Sequence, residues 1–389
     1  MTATAGPTGT PVSGAGRQSL ATGAVGPALL AIERALNGAG DWTTAHHLVT
    51  RATSSPIDAG RHTGLYHGAP AVLFLLNAAT ADGRDRYAAA RQSLTRHVRR
   101  LVRQRLTAAD DRLRRGQPST FAEYDIFYGL VGTGALLLRH LPDADELGDL
   151  LTYITRLTRS CTHDGQRLPG WWVGHDPDPT LPTPGGHANF GMAHGAAGLL
   201  SLLALADRAG HRVRGQTEAI ERLCAWFDRW RQDDVAQGSW WPQWLTRDQL
   251  RTGRPTQAGP GRPSWCYGTP GIARALQLAA IATNHAARQA DAEAVLAACL
   301  NDQQLDRLTE PGVCHGLAGL HHTVLRAAAD AKTPDIAARL PALTERLTRH
   351  EPDPDDGFLT GRTGHLLAME TARAAAPPRT RWDACLLIV

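Results

Sequence analysis

The stretch His194-Gly195-Ala196-Ala197-Gly198-Leu199-Leu200-Ser201-Leu202-Leu203 reads as a polar residue, a glycine, two residues, a second glycine and then an apolar run. The same pattern, with Gly or Ala at the second small position, begins at His67-Gly68, Tyr128-Gly129, Tyr267-Gly268, His315-Gly316 and Thr360-Gly361. Successive first glycines lie 61, 66, 73, 48 and 45 residues apart, each interval long enough for two helices and their connections. The chain is a helical-hairpin repeat.

After each motif the sequence is apolar and helix-forming, as in Ala71 to Leu76, Ala135 to Leu138 and Leu199 to Leu203. Between motifs lie amphipathic, charged segments such as Glu218 to Arg231, with apolar residues at helical spacing. The apolar helices are expected inside and the charged ones outside. A hairpin of this kind cannot bury its inner helix alone, so the repeats must stack, and closing the stack into a ring removes ends that would need capping. The expected fold is therefore all-α, an α/α toroid of six or seven helical hairpins. All the Gly motifs then lie at one end of the inner helices, and the residues just before them converge on one central cavity.

Two segments interrupt the rhythm. The first runs from about Asp164 to His187, with Trp171 and Trp172 among its prolines; the second runs from about Gln237 to Ser264, with Trp240, Trp241 and Trp244. They are expected to form long loops or short strands over the cavity mouth, gripping substrate or packed by their own tryptophans.

Bulk properties narrow the function. The chain has 389 residues, is 42% hydrophobic and 20% charged, and carries a formal net charge of +4. That composition belongs to a globular protein with a substantial core. Its basic residues are arginines apart from Lys332, and the Arg-rich stretch from Arg96 to Arg115 reads as an exposed helix face, so nucleic-acid binding is not expected. Residues 1–25, rich in Thr, Ala, Gly, Pro and Ser, are expected to be a flexible tail without the features of a signal peptide, and 26–389 a single toroid domain. No membrane-spanning window is present and a cytoplasmic protein is expected. Six cysteines are too sparse for a disulfide framework; Cys161, Cys224, Cys299 and Cys385 are assigned to packing.

The pre-glycine positions carry the chemistry. Cys266 stands in Trp-Cys-Tyr-Gly and Cys314 with His315 in Cys-His-Gly. If the repeats converge, two thiols and an imidazole meet, a donor set suited to zinc that leaves a fourth position open, as in catalytic zinc sites. His194 occupies the equivalent place one repeat before Cys266, and an imidazole there suits proton transfer. Asp125, four residues before Gly129, is either a partner that fixes the tautomer of that imidazole or a helix N-cap. Arg262, four residues before Cys266, offers an anion-stabilising guanidinium.

Together, Trp265-Cys266-Tyr267-Gly268, Cys314-His315-Gly316 and Ala193-His194-Gly195 resemble the lanthionine synthetase C-like (LanC) family, with the resemblance running from about residue 60 to 370. It implies an α/α toroid holding Zn2+ through Cys266, Cys314 and His315. The implied substrate is a precursor peptide with dehydrated Ser and Thr residues, whose cysteine thiols add to dehydroalanine or dehydrobutyrine to close thioether rings. By the same resemblance His194 and Asp125 match the active-site pair, and Arg262 and Tyr267 match residues lining the zinc site. A complex with a dehydratase and a transporter is a further implication, as is a stand-alone cyclase rather than half of a fused enzyme. The competing readings are a non-catalytic LanC-like protein that binds peptide or glutathione-like thiols through zinc, and a toroid glycosidase, prenyltransferase or terpene cyclase. A glycosidase wants two carboxylates on one cavity, and Asp125 is the only clear candidate.

Overall fold

A computed structural model describes residues 14–178, 180–235, 237–351 and 353–389. Among these residues, seven helices line the inside of a ring: α1 (Val25–Leu36), α3 (Ala69–Ala78), α6 (Leu130–His140), α8 (Ala196–Arg208), α11 (Thr269–Ala282), α14 (Leu317–Asp330) and α16 (Arg362–Ala374). Each packs on the next, and α16 packs on α1, which closes the ring. Outside them lie α2 (Trp42–Ala52), α4 (Ala88–Arg114), α7 (Asp145–Leu157), α9 (Gln216–Trp230), α12 (Ala286–Ala298) and α15 (Leu340–Arg349), each against the inner helix that precedes it. Short helices α5 (Phe121–Tyr124), α10 (Arg247–Thr252) and α13 (Asp302–Leu305) sit in the connections. The architecture is the expected α/α toroid.

The two helix classes differ because their surroundings differ. An inner helix is covered on every side, and every residue of α3 except Asn77 is buried. An outer helix has one wet face: α9 buries Ala219, Ile220, Leu223, Cys224, Phe227 and Trp230 at three- and four-residue spacing and turns Thr217, Glu218, Glu221, Asp228 and Arg229 to the outside. Helix α4 behaves the same way. Arg96, Arg100, Arg103 and Arg114 face outward, while Arg99 and Arg103 reach the buried Glu146 and Arg112, largely covered, pairs with Glu123.

All six Gly motifs sit where inner helices begin, each first glycine being the residue before the first helical turn. The second glycine has a steric cause. A Cβ at Gly132 would come within 1.8 Å of the Ile126 carbonyl oxygen, and one at Gly319 within 1.8 Å of the Val313 oxygen. In the five motifs with a second glycine the entering loop folds back over the first turn, and glycine leaves room for that carbonyl; the first motif carries Ala71 instead.

The same loops bond to one another around the ring. Leu20 N–H donates to Tyr66 O, Tyr66 to Phe127, Ile126 to Ala193, Ala193 to Cys266, Cys266 to Cys314, Cys314 to Leu359 and Leu359 to Ala21, at 2.8 to 3.3 Å. This circuit turns a sequence repeat into a shared platform. It also draws in residues 14–25, read from composition as the end of a flexible tail. Gln18 and Leu20 are fully buried, Gln18 Nε2 donates to Pro56 O at 2.8 Å and Gln18 Oε1 accepts from Asp58 N–H at 2.7 Å. Residues 1–13 lie outside the described residues.

After α16 the chain turns inward instead of adding an outer helix. Trp382, Cys385, Leu386 and Ile388 are fully buried, and their carbonyls meet different sides of the ring: Cys385 O accepts from Tyr66 Oη, Leu386 O from Trp265 Nε1 and Ile388 O from Arg274 Nε, all at 3.0 Å. The C-terminal segment fills the ring's axis, and the loops before α3 and α11 rest on it.

The two interruptions form three two-stranded antiparallel sheets: β1 (Cys161–His163) with β2 (Gln166–Leu168), β3 (His187–Asn189) with β6 (Trp244–Thr246), and β4 (Gln232–Asp234) with β5 (Gly238–Trp240). Pairing β3 with β6 fastens one interruption to the other. Trp171, Trp172, Trp240 and Trp241 are buried, with Trp172 Nε1 donating to Gly185 O and Trp241 Nε1 to Phe227 O. These tryptophans pack the loops onto the ring and are spent on the fold. Among the described residues, no helix is long and apolar enough to cross a membrane.

Candidate metal centre

Cys266 precedes α11 by three residues and Cys314 precedes α14 by three, and the Cys266 N–H to Cys314 O bond of 3.2 Å holds the two loops side by side. His315 follows on the second loop. One donor atom from each of Cys266, Cys314 and His315 lies within 4.8 Å of the others. Cys266 is buried, and the other two are partly exposed, so the cluster opens on one side.

The electrostatics of the cluster are those of a cation site. A hydrogen bond from the Cys314 thiol holds Cys266 well below the usual thiol range, and contacts with His315 and Ser264 act in the same direction. Cys314 is pushed well above that range, first by the same contact with Cys266 and then by burial. Hydrogen bonding to Cys266 raises His315. Two sulfurs and an imidazole thus share protons that a soft dication would replace, and two thiols with one imidazole is a zinc donor set. His315 Nε2 lies 2.6 Å from Glu310 Oε2, which leaves Nδ1 as the nitrogen for a metal.

His194 and Asp125 form a second unit one step along the backbone circuit. His194 Nδ1 is 2.8 Å from Asp125 Oδ2, and the other carboxylate oxygen, Oδ1, accepts from the N–H groups of Tyr128 and Gly129 at 2.8 and 2.9 Å. Asp125 is therefore the partner for the imidazole and not an N-cap: the N-cap of α6 is Gly129, and the carboxylate instead holds the turn that leads into it. As the carboxylate accepts at Nδ1, the neutral ring carries its proton there and Nε2 holds the lone pair. Phe121 stacks on the ring at 4.6 Å, Phe127 lies at 4.9 Å and Tyr267 at 6.1 Å, and Tyr124 Oη donates to the His194 carbonyl at 2.9 Å. Burial first, and then Cys266, pushes the Tyr267 phenol upward, so it keeps its proton.

Arg262 is on the rim. Its Nη1 donates to Glu310 Oε1 at 2.9 Å, so its direct partner is a carboxylate and not a sulfur. Glu310, Phe121 and Phe127 were not singled out from sequence. A glutamate four residues before a Cys-His pair is the one visible signal for Glu310, and the phenylalanines flank Asp125 in Phe121-Ala-Glu-Tyr-Asp-Ile-Phe127. One further group of potential ligands occurs among the described residues, Asp58 with His62 and His67 at the first motif.

A model of the lanthionine synthetase C-like protein family matches residues 14–387, almost the whole chain. The chain belongs to that family. Within it, the sequence is 25% identical over 262 residues to the nisin biosynthesis protein NisC of Lactococcus lactis subsp. lactis, an alignment spanning 66% of this chain and 60% of that protein. The fold is that of a solved structure titled nisin cyclase, with a TM-score of 0.82 and 20% identity over 96% of this chain and 92% of that one. The LanC-like toroid and the cluster at its mouth were thus both legible in the Cys-Tyr-Gly, Cys-His-Gly and Ala-His-Gly motifs.

Proposed function

We propose that this chain is a zinc-dependent lanthionine cyclase, acting on a precursor peptide whose Ser and Thr residues have been dehydrated to dehydroalanine and dehydrobutyrine. The observation that carries the reading is the cluster of Cys266, Cys314 and His315 next to the His194–Asp125 pair. A bound zinc ion held by the first three residues would take a peptide thiol at its open position and lower a pKa that is otherwise about 8.5.

The chain's own residues then handle protons and position. Asp125 fixes the imidazole with Nε2 free, and His194 is suited to accept the thiol proton or to protonate the α-carbon of the enolate that thioether formation leaves. Phe121 and Phe127 press on the imidazole and restrict its rotation, while Tyr267, still protonated, keeps a hydrogen-bonding group beside it. A toroid that only bound thiols would have no use for an imidazole oriented by a buried carboxylate, which weighs against the non-catalytic reading. By the same reading the enzyme works in the reducing cytoplasm, beside the dehydratase that supplies its substrate and a transporter that takes the product.

Ring closure is an isomerisation, so mass alone does not report it. The test incubates the zinc-loaded protein with a dehydrated cysteine-containing peptide and then alkylates free thiols. Loss of alkylation with unchanged peptide mass, and fragments missing inside the rings, is the expected outcome; full alkylation of the peptide after prolonged incubation would overturn the proposal.

A further inference from the structure

Arg262 and Glu310 belong to the two loops that carry the cysteines. Arg262 stands four residues before Cys266 and Glu310 four before Cys314, and their side chains meet at 2.9 Å. The pair repeats between side chains the bridge that Cys266 N–H and Cys314 O make between backbones. Glu310 is also tied to the helix beyond the cluster, since its carbonyl accepts from Leu317 N–H at 2.9 Å in the first turn of α14. One carboxylate oxygen thus faces Arg262 and the other, at 2.6 Å, faces His315 Nε2.

We infer that Glu310 is the positioning residue for His315, holding its proton on Nε2 so that Nδ1 presents a lone pair to the metal, and that Arg262 acts through Glu310. The inference rests on the zinc-centre reading above. A ligating imidazole is held in one tautomer and one orientation by the acceptor on its far nitrogen, and that acceptor also makes it a stronger donor. Glu310 and Arg262 have side chains 33% and 43% exposed, so water competes for the carboxylate. A two-point grip, guanidinium on one oxygen and imidazole on the other, keeps it in place. Arg262 is then distinct from the His194–Asp125 pair: it sets how tightly the centre holds its ion and touches no reacting atom.

The test measures zinc dissociation constants by competition with a fluorescent chelator for the full-length wild type, Glu310→Gln, Arg262→Gln and the double variant. Glu310→Gln keeps volume and removes the charge, and should weaken zinc by about 10- to 100-fold. Arg262→Gln should weaken it less, and the double variant no more than Glu310→Gln alone. Cobalt-loaded Glu310→Gln should show shifted d–d absorption, a signature that a purely structural bridge would not move. Glu310→Asp, which keeps the charge at a shorter reach, should recover part of the affinity and covers the case in which the Gln variant fails to fold. Wild-type affinity in Glu310→Gln would overturn the inference, and full additivity in the double variant would overturn the role of Arg262. A wild-type protein that binds no zinc would instead sink the metal-centre reading on which both depend.

Discussion

His67 and His315 occupy the same place in the repeat, immediately before the first glycine of a motif, yet they sit in different chemistry. Each has a carboxylate at Nε2, Asp58 at 3.3 Å and Glu310 at 2.6 Å, and each side chain is about equally exposed, at 20% and 24%. What differs is the company. The residue before His315 is Cys314, and the adjacent loop brings Cys266. The residue before His67 is Tyr66, whose hydroxyl turns inward to Cys385 O, while the adjacent loop packs Phe127 edge-on against it. The third member of the group around His67 is His62, which is largely exposed. The motif delivers a side chain to the mouth of the ring, and the flanking residues of two neighbouring loops decide what it does there.

Breaking the cluster side of this comparison should have the largest effect. Cys314→Ala removes one of two sulfurs and should lose zinc and reduce ring closure to background, measured by metal content and thiol alkylation. Next comes His194→Ala, which should retain zinc and lower kcat by about 10²- to 10⁴-fold, the range for a lost general acid or base. Unchanged turnover in this variant would remove His194 from the proton transfer. Gly319→Ala tests the platform beneath His315. Its Cβ would meet the Val313 carbonyl at 1.8 Å, a backbone atom that cannot rotate away, so a stability loss of about 1–3 kcal/mol is expected in chemical denaturation. His67→Ala should do least: zinc content unchanged and a stability loss of about 0.5–1 kcal/mol, for a mostly covered side chain that gives up one contact with Asp58. A loss of zinc in His67→Ala would show that the Asp58 group holds metal and that the two histidines are more alike than their neighbours suggest.

The repeat and the cluster were readable because both lie in short contiguous motifs. The second glycines are forced by a local clash, Cys314-His315 are adjacent in the chain, and Cys266, 48 residues away, stands before the Gly of another copy of the repeat, so the repeat itself brings it in. Glu310 is different. It is one of 37 acidic residues, and it acquires a role only because the loop before α11 brings Arg262 against it across 48 residues. The seventh inner helix, α1, escaped the repeat count for another reason. Its own Gly motif, Thr22-Gly23-Ala24-Val25-Gly26 before Pro-Ala-Leu-Leu, lies inside a segment whose small, polar composition reads as a tail, and the backbone of Leu20 and Ala21 takes its place in the circuit. The final Cys-Leu-Leu-Ile-Val is too short for a period to show, and its burial follows from the hole that a ring of seven helices leaves at its axis.

The most direct test is zinc stoichiometry in the purified protein and in Cys314→Ala, by elemental analysis after loosely bound metal has been removed. One zinc per chain in the wild type and none in the variant is the expected result. Zinc retained in Cys314→Ala, or absent from both proteins, would contradict the assignment of Cys266, Cys314 and His315 as a metal centre.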